Sequence, residues 1–100
     1  MNDDQRIDAL ATVFQALSDG NRLRILELLR NNGHPICVNG IAMKLGISQS
    51  AASQHLKVLK TNGLVSDRKE GYFKHYALNA DRLAEIQALR RTVLGEDFQI

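Results

Sequence analysis

Cysteine, proline and tryptophan are nearly or wholly missing from this sequence: one Cys, one Pro and no Trp, with aromatics at only 5%. A lone Cys37 excludes a disulfide within the chain and suits a reducing compartment. No apolar run approaches the roughly 20 residues that a membrane-spanning helix needs. The opening Met1-Asn2-Asp3-Asp4-Gln5-Arg6 is acidic and polar, whereas a secretory signal starts basic and then turns apolar. The expected address is therefore the cytoplasm, with no membrane partner. Also missing are a nucleophile motif, a phosphate-cradling glycine loop and paired carboxylates in an apolar setting. Neither catalysis nor a cofactor is expected. What remains is one domain spanning residues 1–100, 44% hydrophobic and 24% charged, as in ordinary globular folds. A core this small gains from recruiting a second copy.

The most informative absence is of negative charge. Between Leu28 and Ser66 there is no Asp or Glu. Residues 28–75 carry seven Lys or Arg against two acids, Asp67 and Glu70, while the flanks carry six basic residues against nine acids. A basic middle held between acidic ends is a candidate polyanion-facing surface.

The apolar spacing predicts several short helices, then a hairpin, then a last helix. Ile7, Leu10, Ala11, Phe14 and Leu17 recur at helical intervals, so a first helix runs from about Gln5 to Leu17. Ser18-Asp19-Gly20-Asn21 turns the chain. Leu23, Ile25, Leu26, Leu28 and Leu29 then make a helix from Arg22 to about Arg30 that is apolar around most of its circumference, as a central buried helix is. Asn31-Asn32-Gly33 stops it. A short helix from Val38 to Leu45 is closed by Gly46, and Ser48 is a natural N-cap for a helix from Gln49 to about Thr61. Leu64–Lys69 and Tyr72–Leu78 read as two strands joined near Glu70-Gly71. The final helix, Ala80 to about Leu94, shows Leu83, Ile86, Leu89, Arg90 and Val93 at helical spacing, with a frayed tail from Gly95 to Ile100.

The segment after Ser48 carries the chemistry. With about 100° per residue, Gln49, Ser50, Ser53, Gln54, Lys57, Lys60 and Thr61 share one arc, and Ala51, Ala52, His55, Leu56, Val58 and Leu59 fill the opposite one. One face packs. The other offers hydroxyls, amides and ammonium groups without a carboxylate, where an ordinary solvated face mixes in Glu or Asp. Small polar side chains near a helix N-terminus approach base edges closely, and Gln bonds adenine with both ends of its amide. The helix dipole near Ser48 favours a phosphate, and the two lysines add backbone attraction. With the short helix and the Gly46-Ile47 turn before it, this segment makes a helix-turn-helix over residues 38–61.

These stretches resemble the ArsR/SmtB family of winged helix-turn-helix repressors. Phe14-Gln15-Ala16-Leu17-Ser18-Asp19-Gly20-Asn21-Arg22-Leu23-Arg24-Ile25-Leu26 is similar to the start of that family's second helix, with Gly20 where proline is usual. Ile47 to Lys60 resembles its recognition helix, and Gly63-Leu64-Val65, Arg68-Lys69-Glu70-Gly71 and Tyr76-Ala77-Leu78 resemble its wing. The resemblance covers residues 10 to 90. It implies a mainly α fold with a β-hairpin wing over residues 64–78, a homodimer joined through helices at 1–18 and 80–94, and binding to a double-stranded DNA operator.

Ser48, Gln49, Ser50, Ser53, Gln54, Lys57 and Lys60, with Arg68, Lys69, Lys74 and His75 on the wing, are the expected DNA contacts. Ile7, Leu10, Phe14, Leu83, Ile86, Leu89 and Val93 are the expected dimer contacts. His55 falls in the packed arc, which leaves Gln54 as the exposed reader. For metals the family pattern fails. Cys37 matches the first position of the family's Cys-x-Cys, but Asn39 and Gly40 stand where a second thiol and an acid belong. Asp81 and Glu85 lie on the last helix, yet no His lies between Ala80 and Ile100. A thiophilic site needs several thiolates, so no metal is expected and the inducer is not specified. Two other readings use the same chain: a metal- or redox-responsive sensor acting through Cys37, and a protein-interaction module on the same fold.

Overall fold

The computed structural model describes residues 1–99. Five helices and three short strands follow in the order α1 (Asp3–Leu17), α2 (Gly20–Asn32), β1 (Ile36–Cys37), α3 (Val38–Leu45), α4 (Gln49–Thr61), β2 (Val65–Glu70), β3 (Phe73–Leu78) and α5 (Ala80–Leu94).

Local signals set most of these boundaries. Asn2 caps α1 in a reciprocal pair with Gln5: the Gln5 amide donates to Asn2 Oδ1 at 2.8 Å and the Asn2 amide to Gln5 Oε1 at 2.9 Å. α1 thus begins at Asp3, two residues before the expected start at Gln5. Asp19 caps α2 by accepting from the Arg22 amide, and Ser48 and Asn79 do the same for α4 and α5.

The ends of α3 and α4 share one closure. The Gly46 amide bonds the Met43 carbonyl while the Ile47 amide bonds Ala42; the Gly63 amide bonds Lys60 while the Leu64 amide bonds Leu59. Gly46 (φ 67°) and Gly63 (φ 74°) supply the left-handed residue that this closure requires. At Gly63 space is short as well, because a Cβ would lie 2.9 Å from Arg82 Cγ.

Ile25, Ile41, Leu56, Leu59, Leu64, Val13 and Val65 are the fully enclosed centre, drawn from α1, α2, α3, α4 and the start of the hairpin. Burying a side chain of this size contributes roughly 1.5–3 kcal/mol. α2 departs from the expected all-round burial. Only Ile25 and Leu29 are buried, and Leu23 is 49% exposed. The wing also differs from a plain hairpin. β1 adds a third strand on the far side of β3, pairing Ile36 with Tyr76 and Cys37 with His75. α1 and α5 lie against each other, burying Leu10 and Ile86 inside the chain itself. The tail does not simply fray: Arg90 donates to the carbonyls of Gly95 and Phe98. Ile100, the last residue of the expected frayed segment, lies outside the described residues.

Candidate nucleic-acid interface

α4 buries Ala52, Leu56 and Leu59, and that spacing turns the other side of the helix outward. Ser48, Gln49, Ser50, Ser53, Gln54, Lys57 and Lys60 are all exposed. The helix is about 20 Å long at 1.5 Å per residue, a rod of the diameter that the major groove of B-DNA admits. Ser48 Oγ is engaged by the Ala51 amide at 3.0 Å, so the serine shapes the start of the helix.

His55 lies on the inner side, as its place on the helical wheel indicates. Its Nδ1 is 3.4 Å from Arg22 Nη1 and 3.9 Å from Asp19 Oδ1. Arg22 also donates through Nε to the Ala16 carbonyl at 2.6 Å. One guanidinium therefore ties the end of α1 and the start of α2 to the middle of α4. The bond from the Arg22 amide holds the Asp19 carboxyl below its usual range, against desolvation and with help from the fields of His55 and Arg22.

The hairpin places its charges on two faces, because alternate residues of a strand point to opposite sides. Asp67 and Lys69 share one face with Tyr76 and Lys74 opposite them; Arg68 and Glu70 share the other with His75 and Phe73. On the second face the charges cancel, with Arg68 2.7 Å and His75 3.9 Å from Glu70. On the first, three lysines meet one aspartate: Lys60 and Lys74 lie 3.0 and 3.8 Å from Asp67 Oδ2, and Lys69 stands directly opposite Lys74. Like charges paired across strands repel. This face thus keeps a net positive charge and continues from the C-terminal end of α4. Burial raises the Tyr76 hydroxyl above the usual tyrosine range, with Asp67 adding and Lys60 opposing.

All eleven expected DNA contacts therefore lie on α4, at its cap or on the hairpin. Lys57 and Lys69 make no ion pair among the described residues, whereas Lys60, Arg68, Lys74 and His75 already face acids of their own chain. Sequence reasoning did not single out two residues of this surface. Asp67, which restrains two lysines, was visible only as the first acid after the acid-free stretch. Tyr72, at the hairpin tip, is 94% exposed and read as an ordinary strand aromatic.

The expected dimer residues divide. Ile7 is 52% exposed, Phe14, Leu83, Leu89 and Val93 are half-buried, and Leu10 and Ile86 are covered within the chain. Cys37 is half-buried at the start of α3. Among the described residues no three His, Cys, Asp or Glu side chains are grouped so as to hold a metal ion, and no helix is long and apolar enough to cross a membrane.

A short helix, a glycine-closed turn, an exposed acid-free helix and a basic hairpin define a winged helix-turn-helix domain. The chain belongs to the ArsR family of bacterial regulatory proteins, whose sequence profile matches residues 19–67, and it is a transcriptional regulator of the helix-turn-helix type. It is 40% identical to a helix-turn-helix transcriptional regulator of Methanocaldococcus jannaschii over 82% of this chain and 91% of that protein. It is 38% identical to the transcriptional repressor SdpR of Bacillus subtilis over 73% of this chain and 79% of that one. The solution structure of a homodimeric winged helix-turn-helix DNA-binding domain from Mycobacterium bovis superposes with a TM-score of 0.71 at 36% identity. That match covers 91% of this chain and 82% of the other.

Proposed function

We propose that two copies of this chain bind a double-stranded operator in the cytoplasm and repress the adjoining gene by binding alone, without catalysis. The whole chain, residues 1–100, acts as one domain. Residues 38–61 dock in the major groove, residues 64–78 form the wing on the flanking backbone, and the helices within 1–18 and 80–94 pair the copies. Gln49, Ser50, Ser53 and Gln54 face bases, while Ser48, Lys57, Lys60, Arg68, Lys69, Lys74 and His75 hold the backbone. Ile7 and the half-buried Phe14, Leu83, Leu89 and Val93 meet the second copy, beside Leu10 and Ile86, which are buried within the protomer. A homodimeric neighbour supports the pairing, and a repressor among the relatives supports the direction of control.

One observation carries the reading: the outward face of α4 holds amides, hydroxyls and lysines and no acid. The test is selection of bound duplexes from a random pool, followed by gel shifts with Gln54→Ala. Losing a paired amide–base contact costs about 1–3 kcal/mol of discrimination, so the variant binds the selected operator more weakly while its melting temperature holds. Equal affinity of the two proteins for the operator would overturn the assignment.

A further inference from the structure

Arg22 stands in the first turn of α2 and joins that helix to both α1 and α4. Its Nε donates to the Ala16 carbonyl at 2.6 Å and its Nη2 to the Gln15 carbonyl at 3.4 Å, both in the last turn of α1. Its Nη1 lies 3.4 Å from His55 Nδ1, in the middle of α4. A guanidinium only donates, so Nδ1 is the acceptor at this contact. The Arg22 amide in turn bonds Asp19 Oδ1 at 3.1 Å, which fixes the backbone from which the guanidinium projects. α1 lies chiefly along α5 and α2, while α4 lies along α3, β2 and α2. α2 is thus the element on which both rest, and Arg22 is the side chain of α2 that bonds both.

We infer that Arg22 is a positioning residue for operator binding: through His55 it holds α4 at one angle to α1, and so sets the half-site spacing that the paired protein accepts. The inference rests on the operator reading, in which α1 helps to pair the copies and α4 enters the groove. Two-fold symmetry repeats any tilt of α4 against α1 in the second copy, so slack at this joint counts twice across the dimer. One base pair inserted between half-sites moves the second by about 3.4 Å and turns it by about 34°. A stiff joint rejects that change, and a loose one follows it. The guanidinium suits the task, because its donors leave a rigid plane in fixed directions. A lysine would keep the charge but offer one ammonium group on a flexible stem. With the joint stiff, the wild type leaves adjustment to the contact between copies.

Gel shifts on the selected operator, with one base pair added or removed between its half-sites, test the inference beside an isolated half-site. The wild type loses about tenfold or more in affinity for either altered spacing. In Arg22→Lys that loss shrinks to about threefold or less, while affinity for the isolated half-site changes by less than about twofold. His55→Leu removes the acceptor from α4 and behaves the same way, and it serves if Arg22→Lys does not fold. His55→Asn keeps an acceptor two bonds from Cβ, where Nδ1 stood, and restores the wild-type loss. Variants that discriminate spacing as the wild type does, or a wild type indifferent to spacing, would overturn the role. So would equal weakening on the isolated half-site and on every spacing, since Arg22 would then serve the fold alone, and so would His55→Asn matching His55→Leu. A wild type that selects no duplex sinks the operator reading and this inference with it, whereas discrimination unmoved in the variants sinks the inference alone.

Discussion

Lys60 Nζ sits 3.0 Å from Asp67 Oδ2, joining the last turn of α4 to the first half of the wing. The same carboxylate lies 3.8 Å from Lys74, and its side chain is 13% exposed. α4 and the wing are thus braced against each other by a charge that also weakens the positive field of the surface proposed to meet DNA.

Asp67→Asn separates those two effects. Removing the acid frees Lys60 and Lys74 for phosphates, so DNA affinity rises, for unrelated duplexes as well as the operator. Each newly engaged phosphate steepens the dependence of log affinity on log salt by about 0.9. Fluorescence anisotropy across a salt series measures the slope, and an unchanged slope means that neither lysine reaches the backbone.

Tyr72 stands 94% exposed at the end of a basic hairpin, so its removal leaves the core untouched. In the proposed docking a ring there packs on sugar and phosphate beside the groove. Tyr72→Ala therefore weakens the operator and an unrelated duplex by similar amounts, about 1 kcal/mol each, with no change in thermal melting. Loss confined to the operator would instead place the ring on a base.

Asp19 gives the fold an acid sensitivity of known direction. Its folded carboxyl titrates below its ordinary value of 3.8, chiefly through the bond from the Arg22 amide. The stabilisation is therefore complete above that ordinary value and disappears as pH falls through the lower, folded one. Asp19→Asn keeps a capping side chain but loses the charge. The gap in melting temperature between the wild type and this variant is widest near pH 6 and closes towards about pH 2. A gap that does not change with pH would contradict the assignment.

Ile7 offers the cleanest probe of pairing, since at 52% exposure it contributes little to the protomer's own core. Ile7→Glu sets a charge on the α1–α5 face. In sedimentation the variant shifts towards monomer and operator affinity falls with it, while protomer stability changes by about 0.5 kcal/mol or less. A variant that stays dimeric would move the interface elsewhere.

Much of this architecture was legible because its determinants are local. Asn79 and Gly95 bracket α5, Ser48 starts α4, and Gly46 ends α3, each through bonds reaching only a few residues. The outward face of α4 followed from the same periodicity that buries Ala52, Leu56 and Leu59. What escaped depends on distant partners. β1 is two residues long, and its ladder lies with Tyr76 and His75, about forty positions later in the chain. A helical wheel places Lys60 outward but cannot show that the turn at Gly63 brings Asp67 beneath it. Leucines crowd α2 on nearly every side, and only the packed neighbours decide that Leu23 is left over.

β1 stitches the wing's inner strand to the stretch from which α3 departs, and Asp67 fastens the same hairpin to α4. The two parts of one protomer proposed to grip DNA consequently form a single jig. Any adjustment to operators of different half-site separation then falls to the hinge between copies, so such tolerance should track changes at α1 and α5 and be indifferent to changes within the hairpin.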